Sequence, residues 1–230
     1  VGALTLNSTG VTTLGGAVYA ASVTTNAGGS VAISTATVTT SGAQTYNDAV
    51  TLGAATTLNT TNSNIAFAST LNSTTSARAL TIGAGTGTVT FTGTVGNTLA
   101  LGATNITAAT TTNTTTLVGS DVYAITGNAV INGAITGVTN LSVSGTTAIG
   151  ANITTSGTQL YSGAVTLASA TTLTTTNSNV TFSSSLNSSS STARALTITA
   201  GTGTVTMNGA VGGTNVLGAT TITGAAFTTG

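Results

Sequence analysis

One twenty-residue passage occurs twice in this 230-residue chain, as ARALTIGAGTGTVTFTGTVG from Ala77 and as ARALTITAGTGTVTMNGAVG from Ala193. The match extends well beyond it. Ser41 to Thr75 aligns with Ser156 to Ser190, one residue is inserted in the second copy's Ser/Thr-rich loop, and Arg78 to Ile106 then aligns with Arg194 to Ile222. Residues 1–40 match about 115–155 more loosely. Most differences exchange Thr, Ser, Ala, Asn and Gly, whereas apolar positions stay apolar, as in Leu52/Leu167, Phe67/Phe182, Ile82/Ile198 and Phe91/Met207. Two periods of about 115 residues, approximately 1–114 and 115–230, therefore make up the chain. Such a pattern reads as a single solenoid segment cut from a longer array, in which each unit packs on the next.

A shorter period lies inside the long one. Apolar pairs at i and i+2 recur as VTL at 50–52, IAF at 65–67, LTI at 80–82 and VTF at 89–91. Period-two alternation places both apolar residues on one face of a strand and the Thr between them on the other. Turn signals such as TSGA, NSN and GAGTG separate the runs, and the GAGTG stretches read as corners where Gly permits positive φ. Three short strands make a coil of roughly 23 residues, so five coils fill a period and about ten fill the chain. The predicted fold is all-β, a parallel β-helix with inward columns that include Phe67, Phe91, Phe182 and Met207. A membrane β-barrel needs strands of about ten residues and aromatic girdles. The runs here are too short for that, and the chain has only four Tyr and four Phe.

Composition narrows the chemistry. About a quarter of the chain is Thr, with two Arg, two acidic residues, and no Lys, Glu, His, Cys or Pro. Abundant β-branched residues favour extended backbone. With so few cations the chain has nothing to neutralise a phosphate backbone, so nucleic acid is not an expected partner. No apolar run is long enough for a transmembrane helix, and membrane insertion is not expected. A neutral surface does not repel copies of itself, which favours self-association.

The runs TTSGAQTYNDAVTL, TTNSNIAF and ARALTIGAGTGTVTFTGTVG resemble repeats of very large bacterial surface proteins of the filamentous haemagglutinin and autotransporter type. The resemblance spans nearly the whole chain. It implies secretion, an extracellular or cell-surface location, a right-handed β-helix, and roles in adhesion, biofilm matrix or surface fibres. It carries over no catalytic residue.

Few residues are candidates for chemistry. Asp48 and Asp121 are the only carboxylates, and Asp48 is replaced by Gly163 in the second copy, so a paired acid site of the polysaccharide-hydrolase kind is not expected. Ser and Thr have no His or Lys to act as base. No enzyme activity, cofactor or metal is expected. Arg78 and Arg194 repeat while the acids do not, and each follows the longest Ser/Thr loop. Their guanidinium groups suit either fastening loop carbonyls or touching a neighbouring fibre or a glycan. The functional expectation is a structural segment of a secreted fibre, sheath or adhesin stalk whose partner is itself, stacked end to end. The alternative is a binding surface for a glycan or for ice, carried by outward Thr such as Thr88, Thr90 and Thr92. A β-helix polysaccharide-active enzyme is a third, weaker reading.

Overall fold

The computed structural model describes residues 1–230 and contains strands, turns and bends but no helix. The strands pair in parallel and form a β-solenoid of about 11 turns spaced roughly 20 residues apart. The chain divides into two compact units, Val1–Asp121 and Val122–Gly230.

In the first unit each coil visits three walls in turn. The first wall stacks Leu4–Leu6, Val23–Thr25, Gln44–Tyr46, Ile65–Phe67 and Thr88–Phe91 in parallel. The second stacks Val11–Leu14, Ser30–Ile33, Ala49–Leu52 and Leu71–Ser73. The third stacks Val18–Ala20, Thr37–Thr40, Thr56–Thr60 and Leu80–Gly83. Thr104–Asn113 is long enough to close the third and first walls with one strand. The second unit repeats the plan. Gln159–Tyr161, Val180–Phe182, Thr204–Met207 and Ala226–Thr229 form its first wall. Thr147–Ile149, Val165–Leu167 and Leu186–Ser188 form its second. Ile153–Thr155, Thr171–Thr175, Arg194–Thr199 and Leu217–Thr223 form its third.

Register explains why the apolar positions survive in both copies. Ile65 and Phe67 sit directly over Val89 and Phe91, and Val180 and Phe182 over Val205 and Met207. An inward residue therefore meets the same position of the next coil and must match it in size and polarity. Phe67, Phe91, Phe182 and Met207 are all buried. Tyr46, Phe67 and Phe91 stack with ring centroids 5.1 and 5.2 Å apart, and Tyr161 stacks on Phe182 at 5.1 Å. Burying side chains of this size contributes about 1.5–3 kcal/mol each, the main offset to the entropy of ordering a coil.

The coils are shorter and more numerous than a uniform 23-residue repeat implies. Their length varies: Asn140 contacts Thr158 of the adjacent coil 18 residues on, whereas Asn177 contacts Thr202 25 residues on. The short coils lie where tight turns replace the long Ser/Thr loops. The walls keep step from coil to coil except where register shifts within paired strands, between Ile135 and Val138 and between Arg194 and Leu196.

Candidate functional site

The residues with chemical potential do not converge on one cleft. Asp48 is 4% exposed, and its Oδ1 accepts the Gly29 N–H at 2.7 Å. This carboxylate holds a turn of the preceding coil, and Gly163 has no comparable group to offer in the second unit. Asp121 is exposed. No cluster of three or more His, Cys, Asp or Glu occurs in the structure.

Buried polar chemistry is concentrated instead around Gln44 and Gln159, the only two Gln in the chain. The Tyr46 hydroxyl donates to Gln44 Oε1 at 2.9 Å, and Gln44 Nε2 donates to Asn59 O at 2.9 Å, to Val38 O at 3.2 Å and toward Thr40 Oγ1 at 3.3 Å. The Thr40 hydroxyl donates onward to Gly42 O at 2.6 Å. The second unit reproduces every link: Tyr161 donates to Gln159 Oε1 at 3.0 Å, Gln159 Nε2 reaches Thr174 O, Ile153 O and Thr155 Oγ1, and Thr155 donates to Gly157 O. Burial pushes the phenols of Tyr46 and Tyr161 well above their ordinary value of 10.0. Both are neutral donors across the ordinary pH range, and the network joins two adjacent coils. The signal was present in the sequence as QTY and QLY at equivalent positions, but a reading built on apolar pairs passed over it.

Asn side chains make a second repeated device. Asn64 Oδ1 accepts the Thr88 N–H at 2.9 Å, Asn128 Oδ1 that of Thr146 at 2.9 Å, Asn152 Oδ1 that of Thr172 at 2.9 Å, and Asn179 Oδ1 that of Thr204 at 2.8 Å. Each satisfies a backbone N–H at or next to the start of a strand in the next coil. Asn62 and Asn177 adopt positive φ of 54° and 55°, and Gly85 and Gly201 repeat that conformation one coil on at 59° and 58°. A Cβ on Gly85 or Gly201 would run into the Asn62 or Asn177 Oδ1 beneath it.

Arg78 and Arg194 occupy the same setting in their respective units. Each backbone N–H donates to a Ser hydroxyl across the Ser/Thr loop, Arg78 to Ser73 Oγ and Arg194 to Ser188 Oγ, both at 2.9 Å. The loops are fastened by these serines, not by the guanidinium groups. Each Nε is buried without a hydrogen-bond partner, and the charged groups form no ion pair with either carboxylate.

The outward Thr form ranks of unequal regularity. Thr88 and Thr90 stand over Thr110 and Thr112, but Ala66 occupies the Thr90 position one coil earlier, so that rank is broken. The most regular array lies on the third wall of the second unit, where Thr172/Thr174, Thr197/Thr199 and Thr221/Thr223 stack in register over three coils. Leu173 and Ile198 between them point inward.

Comparison of the chain with protein-family models, with curated proteins and with solved structures gives no match.

Proposed function

We propose that this chain is a structural segment of a secreted bacterial surface fibre, sheath or adhesin stalk, extracellular in location, that assembles by coil-on-coil stacking and performs no catalysis. The observation that carries this reading is the recurrence of inter-coil devices at equivalent places in the two units: an aromatic stack on Tyr46 or Tyr161, a Gln–Tyr network and an Asn staple. Both copies thus keep the coil-to-coil contact, the quantity a stacked fibre depends on. Composition supports it too: with a formal net charge of +0, copies meet without repulsion. The resemblance to repeats of filamentous haemagglutinin and autotransporter type points to the same use.

Sedimentation velocity and negative-stain microscopy of the purified chain over a range of concentrations test the proposal. Growth of filaments with concentration supports it, with little change between low and high salt because the contacts are uncharged. Particles that stay monodisperse at high concentration refute it. A second reading, a binding face for ice or a glycan, is favoured by the three-coil Thr array of the second unit. Thermal hysteresis that is abolished by Thr197→Val and Thr199→Val together would move that reading to the front.

A further inference from the structure

Arg78 and Arg194 are the only cationic side chains in the chain, and the fold leaves both without compensation. Each Nε lies out of solvent contact with no acceptor in reach, whereas the Nη atoms are not buried. The shaft of the side chain is thus enclosed while the charged fork faces outward. The setting is rigid. Ser73 and Ser188 fix the Arg backbone through their hydroxyls. Gly102 and Gly218 of the following coil pack against the Arg backbone so closely that a Cβ would stand 3.1 Å from the Arg78 or Arg194 carbonyl carbon. Beside each Arg the loop is exposed and hydroxyl-rich, with Thr75 and Ser76 in one copy and Ser189 and Ser191 in the other.

We propose that Arg78 and Arg194 are two equivalent binding sites for the carboxylate of an acidic saccharide, a uronate residue. A guanidinium fork presents two parallel N–H donors that match the two oxygens of a carboxylate. A single positive charge amid neutral hydroxyls suits a monoanion whose remaining surface is hydroxyl groups. A polyphosphate or nucleic acid would require a cluster of cations. The Arg backbone is held and the Nε is enclosed, so part of the ordering cost is met before binding. The one-residue insertion beside Arg194 leaves the serine contact unchanged, so the two copies preserve the Arg presentation itself and not the loop length. This assignment stands independently of the fibre reading, because it concerns the side wall of each unit and not the stacking of coils.

The test uses the intact 15N-labelled chain, whose Arg Nε–Hε region holds two signals, and follows both during titration with sodium galacturonate. Methyl galactoside, sodium acetate and sodium chloride at matched concentration are the comparison arms. The expected result is a saturable shift of both signals with galacturonate, a weaker one with acetate, and none with methyl galactoside or chloride. Arg78→Gln removes one signal, which assigns the pair, and leaves the Arg194 signal titrating as before. An equal response to acetate and galacturonate overturns the saccharide assignment. A linear, non-saturating response or none at all overturns the site. The unsubstituted chain alone decides these outcomes, so they do not depend on a variant folding.

Discussion

Tyr46 and Gln44 show what a buried polar pair does in a wall made mostly of aliphatic and Thr residues. The Tyr46 hydroxyl and Gln44 amide satisfy one another and three groups in neighbouring strands, so the network favours one stacking register over slipped ones. Tyr46→Phe leaves Gln44 Oε1 without its donor, and chemical denaturation is expected to show a loss of about 1–3 kcal/mol. Tyr161→Phe should match it in the second unit. The phenols also set an alkaline limit. Their pKa is raised in the folded chain by burial, so folded protein holds these protons while unfolded protein releases them above about pH 10. Stability is therefore unaffected by these groups below that pH and falls as pH rises beyond it. Spectrophotometric titration should show Tyr46 and Tyr161 ionising only as the chain unfolds. The repeated QTY and QLY text was legible in the sequence. Their inward direction was not, because alternation says which residues share a face, and a Gln on an apolar face is decided by the carbonyls it finds there.

Among the coils, the aromatic stack and the corners carry most of the specificity. Phe67 lies between Tyr46 and Phe91, so Phe67→Ala opens a cavity against both and is expected to cost about 3–5 kcal/mol, measured by denaturant titration. At the corner, Gly85→Ala imposes positive φ on a residue with a Cβ and drives that Cβ into Asn62. The expected cost is about 1–3 kcal/mol, more than for Asn62→Gly, which keeps the backbone conformation and loses only a staple to Thr86. The IAF, VTF and LTI runs were readable as strands because each holds two apolar residues at i and i+2. The corners at GAGTG and its counterpart TAGTG were readable because Gly85 and Gly201 there take the positive φ. Coil length was harder to read. Around Ile149 and Ile153 the corners are three residues each and look like those of longer coils, and only the strand pairing reveals that the repeat has shortened.

At the scale of the whole molecule, the parallel solenoid follows from the duplicated text, since a module that stacks on itself needs its apolar positions preserved and little else. Function was less legible for a related reason. A solenoid wall is a scaffold, and its role rests on what its outer residues meet. Here those residues are largely Thr, Ser and Asn, which carry little chemistry of their own. The fibre reading makes a further commitment about direction. If chains associate by continuing the coil-on-coil stack, their strands lie across the filament axis and are spaced along it; lateral bundling of the outer walls would show no such order. Diffraction from aligned filaments, or the averaged power spectrum of cryo-electron micrographs, separates the two. The account predicts a strong meridional layer line at about 4.8 Å, the spacing of hydrogen-bonded strands. A strand-spacing reflection perpendicular to the filament axis, or none, would contradict it.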